Sequence, residues 1–473
     1  GDHHHPGGRS GKGADFHGPV TAVGTAGPTR IRYRADVVVP ADADPTGAAR
    51  VLRPGVVEVL GDRVVQVGTE PATVGVPDDA GVREVRVKGA LLPGLVNVHC
   101  HSPMTLFRGS GEGLPLHRWL TEVLWPMEAH LTDEDVYWGM TLAAAELLRF
   151  GVTTSCEMYF HEDAIADAVI AAGSRAVVAP AVLTFDPDPK AGWWEGRIAE
   201  ICDFHRRRHG QQDRLEVGFA PHAPYSVPLA ALSETAVAAR ELDALFAIHM
   251  AETEDERDRY VAEHGRTEAA VLADLGVLDA RVVAAHSIWL SPEDIELYRR
   301  FDVAVAHCPS SNAKLASGIA PLGELLGAGL RVGLGTDGPA SNNDLDLWDE
   351  VRLCAMLARL QQRDAGALGS SAAWSLATRA AGRALGRPDV GVLAVGSVAD
   401  MMAVDLDDPV LVPLLSDAHL VDHLVWSASS RLVTDVWVAG RQVVADGRCV
   451  TVDVDRARRE VEERARRLRA AAT

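Results

Sequence analysis

The chain has 473 residues, 47% of them hydrophobic and 24% charged, the composition of a soluble globular protein with room for one large domain or two ordinary ones. Its formal net charge of −20 argues against non-specific nucleic-acid binding and against adsorption to anionic membranes, since both need a basic face. Six scattered cysteines with no CxxC pair fit reduced thiols in a cytoplasmic protein, and no apolar run is long enough to span a bilayer.

Residues 1–27 are rich in Gly, Pro and His without the apolar core of a signal peptide, and read as a disordered tail. From 28 to 89, short Val-rich runs alternate with Gly/Asp turns, as in Val56–Val67, which is β-hairpin patterning. The same texture returns over 391–454, so the two ends are expected to meet in one small β-sandwich. Between them, over 90–390, strands are predicted at 91–98, 151–158, 175–183, 214–220, 244–250, 281–286, 302–308 and 331–336. Helices are predicted at 132–149, with Thr132 and Asp135 as a capping box, and near 161–172, 195–208, 228–242, 255–275, 291–300, 321–328 and 344–361. This alternation counts out to a (β/α)8 barrel. A doubly wound open sheet is disfavoured because no Gly-rich phosphate turn follows an early strand. Residues 455–473 read as an amphipathic C-terminal helix.

The strongest chemical signal sits where the first apolar run ends, at His99-Cys100-His101. Alternate strand residues point the same way, so both imidazoles can face one ion while Cys100 packs on the other side. His249, His286 and Asp337 each end a later apolar run, and His222 follows another. In a (β/α)8 barrel all strands end at the face that carries the active site. His99, His101, His249 and Asp337 thus form a candidate set for one divalent metal, Zn first and Fe second, since nitrogen and carboxylate ligands suit these ions. A bound ion of this kind lowers the pKa of its water toward about 7. Glu252, just beyond His249, is the candidate proton carrier. His286 is expected to orient the attacking water, and Asp337 to accept its proton as well as touch the metal.

Pro93–Gly109, with its His99-Cys100-His101, is similar to the first strand and loop of the amidohydrolase superfamily, and within it resembles the 5'-methylthioadenosine/S-adenosylhomocysteine deaminase branch. Trp125–Glu128, Met158–Glu162, Pro221–Tyr225, His249–Thr253, Ser311–Leu315 and Gly335–Asn343 carry the same resemblance. It implies a homo-oligomeric, metal-dependent deaminase of adenosine-type nucleosides. The residues matching Glu128 and His222 would contact the nucleoside, alongside Glu252 and His286. Triazine hydrolases and oxopurine deaminases share the frame, so another amino- or chloro-substituted N-heterocycle is the alternative substrate. Binuclear relatives bridge two ions with a Lys at the end of strand 4. The lysines here are Lys12, Lys88, Lys190 and Lys314, and none stands there, so one ion is expected. Members acting on S-adenosylhomocysteine carry an Arg in strand 3, where this chain reads Pro180. Arg197 aligns with a second Arg of that kind, and Trp193 with Trp194 is the candidate lid over the 5' end.

Overall fold

The computed structural model describes residues 29–43, 47–69, 81–186 and 188–472; the predicted tail over 1–27 lies outside them. Its strands in chain order are β1 (Arg30–Val38), β2 (Gly55–Leu60), β3 (Arg63–Thr69), β4 (Val82–Pro93), β5 (Leu95–Cys100), β6 (Val152–Tyr159), β7 (Arg175–Val182), β8 (Leu215–Val217), β9 (Ala220–Pro221), β10 (Leu245–Met250), β11 (Arg281–His286), β12 (Ala304–His307), β13 (Val332–Leu334), β14 (Met401–Val404), β15 (Val433–Val438), β16 (Arg441–Ala445) and β17 (Arg448–Cys449).

The two chain ends share one eight-stranded mixed sheet in the order β17-β16-β15-β14-β4-β1-β2-β3. The parallel pair β1–β4 and the antiparallel pair β4–β14 join its halves. Tyr33, Val57, Leu91, Met401 and Trp437 are buried together in its core.

β5 to β13 form the (β/α)8 barrel. Two parallel arcs, β5-β6-β7-β8 and β10-β11-β12-β13, are hydrogen-bonded within themselves, with β9 added beside β7. One seam is closed by Phe219 and Ala247, whose N–H groups donate to Leu245 O and Phe219 O at 2.8 Å each. The other is closed by Asp337 N–H donating to His99 O at 3.1 Å. The strands are buried on both faces and read as nearly continuous Val/Ala/Ile runs, as parallel sheets covered by helices do. Val96, Val98, Val177, Ala179, Ala247 and Ala285 fill the interior. The helix Arg379–Ala384 packs on that layer near the strand starts, where Arg281 and Arg331 donate to Leu385 O and Arg383 O.

Three boundaries differ from expectation. The predicted strand 91–98 is two strands meeting at Gly94, where a Cβ would lie 2.1 Å from Thr153 Oγ1, so the barrel starts at Leu95 and the expected domain edge at 90 falls inside β4. The predicted helix 255–275 is two, Glu254–His264 and Glu268–Asp274, because Gly265 ends the first at φ 70°. The segment 391–454, expected as β-structure, also holds the helix Asp417–Trp426, which packs on the helix Ser370–Ser375. The capping box on the helix Asp133–Arg149 is present as expected, and the C-terminal helix runs Val454–Ala471.

Candidate functional site

His99 and His101 emerge at the end of β5, where pairing with β6 shifts register between Asn97 and Cys100. That shift turns both rings to the barrel axis, 4.7 Å apart between centroids, while Cys100 Sγ packs against Ser102 Oγ and Asp337 O on the far side. His249 is the last but one residue of β10, and His286 ends β11. Asp337 follows β13 in a turn at φ 59°, and His286 itself has φ 67°. Left-handed backbone at residues bearing a Cβ costs roughly 1–2 kcal/mol each and collects at functional sites.

Among the described residues, ligand atoms of His99, His249, His286 and Asp337 lie within 4.8 Å of one another, all buried. His101 belongs to the same centre: its Nε2 is 3.2 Å from His249 Nε2 and 3.1 Å from Asp337 Oδ1. The site therefore gathers five candidate ligands, the four expected plus His286.

Whether these groups fit a metal is decided by their outer partners. His101 Nδ1 faces Met158 O, His249 Nδ1 faces His222 O at 2.7 Å, and His286 Nδ1 faces Asn312 Oδ1 at 2.8 Å. Each acceptor requires the hydrogen on Nδ1, which assigns a bare Nε2 lone pair pointing inward. The contact between His101 Nε2 and His249 Nε2 is then two lone pairs with no hydrogen between them. His99 Nε2 is buried without a hydrogen bond, 3.3 Å from Asp337 Oδ1. Ligand atoms about 2.1 Å from a tetrahedral ion lie roughly 3.4 Å apart, close to these separations. A cation resolves every unpaired group, so the residues fit a divalent metal. Asp337 Oδ2 is held by Ser311 Oγ and Ser341 Oγ at 2.6 and 2.7 Å, leaving Oδ1 to the centre.

Electrostatics sort these groups. Burial pushes His99 down to about 4, His222 down to about 3 and His249 well below the usual range, so they stay neutral. Burial also disfavours charge on His101, but the Asp337 carboxylate beside its Nε2 outweighs this and raises it. Burial opposes the Asp337 charge, yet its close contacts with His101 and His99 and the charge favoured on His101 hold the carboxyl well below its usual value. Glu252 behaves oppositely. It is 4% exposed, and burial, then the Asp337 and Glu256 charges, raise it well above the carboxylate range, which favours its protonated form. Its Oε2 is 3.6 Å from His286 Nε2.

The cavity above this centre is lined by His101, Glu128, His222, His249, Glu252, His286 and Asp337, walled by Leu116, Trp119, Trp125, Tyr159, Phe160, Ala181, Leu183 and Tyr225. Glu128 Oε1 accepts from Tyr159 OH at 2.7 Å, and burial raises its carboxyl to about 7. His222 Nδ1 pairs with Ser226 Oγ at 2.7 Å.

Arg197 and Trp193 are not part of that lining, which corrects the expectation for both. Arg197 is bound at both ends of its guanidinium to Glu162, at 2.8 and 2.9 Å, and donates to Ala181 O. Trp193 begins a helix, Trp193–Arg208, and packs edge-on against Trp194 in the outer core. Pro180 needs a correction too. Val177 and Ala179 face the barrel interior, so alternation along β7 turns Pro180 outward and brings Ala181, and Leu183 beyond it, to the cavity. Sequence reasoning passed over Tyr159, the last residue of β6, because a phenol is not metal-capable; its strand-end position was the available signal. Ser311, Asn312 and Ser341 lay within the quoted motifs without a role.

Comparison with known proteins agrees in extent. Residues 90–443 match the amidohydrolase family. The chain is 42% identical over 379 residues to a 5-methylthioadenosine/S-adenosylhomocysteine deaminase of Desulforudis audaxviator, covering 80% of this chain and 86% of that one. It is 38% identical over 370 residues to a 5'-deoxyadenosine deaminase of Methanopyrus kandleri, covering 78% and 84%. Among solved structures, an adenosine deaminase from Xanthomonas campestris with bound zinc superposes with a TM-score of 0.84 at 35% identity, over 94% of this chain and 99% of that one.

Proposed function

The chain belongs to the amidohydrolase family, and from that membership we propose that it is a metal-dependent deaminase that hydrolyses adenosine-type nucleosides to ammonia and inosine-type products. The observation that carries this reading is one apolar cavity holding a metal-capable cluster and two buried carboxyls, Glu252 and Glu128.

We assign the ion to His99, His101, His249 and Asp337, with zinc first, as bound in the Xanthomonas relative, and iron second. His286 stands close enough to serve as a further ligand or to orient water. A divalent metal in such a site supplies Lewis acidity and makes hydroxide available near neutral pH. Glu252 holds a proton at its carboxyl and delivers it to the ring nitrogen as water adds to C6. Asp337, anionic beforehand, accepts a proton from that water and returns one to the amino group, which leaves as ammonia. Glu128, already bonded to Tyr159, has Oε2 left to accept from ribose hydroxyls, and His222 stays neutral beside the base.

The wall chemistry favours small apolar 5' substituents. Leu183, Phe160 and Trp125 line the cavity, while Arg197 is spent on Glu162. The reading includes a cytoplasmic setting, supported by six free cysteines. It also includes a homo-oligomer, for which Leu360, Val412 and Leu415, each more than 70% exposed, are apolar groups such an interface would cover. Among the described residues no helix is long and apolar enough to cross a membrane.

The experiment is ammonia release, with the ultraviolet shift to inosine-type products, for adenosine, 5'-deoxyadenosine, 5'-methylthioadenosine and S-adenosylhomocysteine. The first three should equal or exceed S-adenosylhomocysteine in kcat/KM. A preference for S-adenosylhomocysteine beyond about tenfold would overturn the specificity. Release from triazines or oxopurines alone would overturn the substrate class.

A further inference from the structure

We propose that Glu256 and Glu268 share one proton and clamp the turn Ala251–Thr253, acting as positioning residues for Glu252; this rests on the reading of Glu252 as the proton donor. The turn leaves β10 through Ala251 at φ 48°, a conformation unfavourable for a residue with a Cβ. It therefore needs external support, and its three successive N–H groups all point at carboxyl oxygens. Ala251 N–H donates to Glu268 Oε2 at 2.7 Å, and Glu252 and Thr253 N–H donate to Glu256 Oε2 at 3.1 and 3.2 Å. A capping box explains only the Thr253 bond, which Glu256 N–H returns to Thr253 Oγ1 at 3.1 Å. The bond to Glu252 itself is additional. The two carboxylates come from different helices, Glu254–His264 and Glu268–Asp274, so the turn is gripped from two sides.

The remaining oxygens carry the inference further. Glu256 Oε1 and Glu268 Oε1 are both buried with no hydrogen-bond partner, and the two carboxyl groups meet at the consecutive N–H groups of Ala251 and Glu252. Two adjacent buried carboxyls cannot both ionise. One retained proton gives each orphaned oxygen its partner. Burial raises both groups, and the Glu256 charge raises Glu268 further, so the pair keeps one proton between them.

A neutral side chain that donates and accepts can replace Glu268, whereas an apolar one cannot. Glu268→Gln should keep kcat within about threefold, and Glu268→Met should lower kcat by roughly 10- to 100-fold, the scale of a small misplacement. KM and metal content should stay within about twofold in both. If Glu268→Met fails to fold, Glu268→Asp, one methylene too short to reach Ala251 N–H, should show the same loss of kcat. Equal losses in the Gln and Met variants, or an unchanged kcat in Glu268→Met, would overturn the clamp. Glu252→Gln measured alongside separates the two ideas. Full turnover there overturns the role of Glu252 and the clamp with it; lost turnover there with an unaffected Glu268→Met overturns the clamp alone.

Discussion

At the scale of single residues, Glu252 and His249 stand three positions apart and are assigned different chemistry. His249→Ala removes an inward lone pair already oriented by His222 O, so the purified variant should lose both activity and its metal. Glu252→Gln leaves the ligand set intact. It should retain one ion per chain while turnover falls by about 10²- to 10⁴-fold, the range for a general acid. Metal analysis beside steady-state rates checks both, and two tightly held ions per chain would defeat the single-metal assignment. Glu128 offers a pH test. Its carboxyl, raised to about 7 by burial, accepts more strongly from ribose hydroxyls when ionised. KM for adenosine should therefore rise as pH falls through about 7 and stay low above it. Glu128→Gln should show a higher KM without this pH dependence; a wild-type KM flat between pH 6 and 8 would remove Glu128 from ribose binding.

At the scale of elements, the site depends on the seam between β5 and β13. Gly335 lies against His99, where a Cβ would sit 2.8 Å from His99 O, 2.9 Å from His99 Cβ and 3.0 Å from His99 N. Most of those atoms are backbone and cannot turn aside. Next to it, Asn97 and Thr336 exchange two hydrogen bonds, Nδ2 to Oγ1 at 2.7 Å and N–H to Oδ1 at 3.1 Å. Gly335→Ala should spread the seam, destabilise by about 1–3 kcal/mol as overpacking does, and weaken metal retention because His99 and Asp337 move apart. Thermal melting and metal content after dialysis report the two effects, and wild-type values for both would show that the seam yields freely.

At the scale of the whole molecule, a buried ion pair helps tie the barrel to the terminal sheet. Arg175, at the start of β7, pairs with Asp400 just before β14 through Nε to Oδ2 at 2.8 Å and Nη2 to Oδ1 at 3.1 Å. Asp400 also accepts from Ala439 N–H at 2.8 Å, and its carbonyl accepts from Gly94 N–H at 3.0 Å, where the sheet hands over to the barrel. Arg175→Met would strand a buried carboxylate, so stability should drop by about 3–5 kcal/mol. Adding Asp400→Leu should recover part of that loss, since the uncompensated charge is gone. Denaturant melts of the single and double variants test this; a single variant as stable as the parent would show that the interface does not rely on the pair.

Much of this was already determined by sequence. Val- and Ala-rich runs each ending in His, Glu or Asp specify buried parallel strands and place titratable groups at one end of the barrel, because strand period and barrel topology leave little choice. The alternation of strands and helices, the capping box at Thr132 and the cavity positions of His101, His249, Glu252, His286 and Asp337 were legible for that reason. What only tertiary structure decided are matters of facing and partnership across distant segments. The β5 register shift, the outward turn of Pro180, the sequestering of Arg197 by Glu162 and the meeting of Glu256 with Glu268 each depend on an element that local pattern does not identify. A polar side chain is functional or structural according to who reaches it first. That competition is settled by packing, where burial raises the cost of every unpaired group.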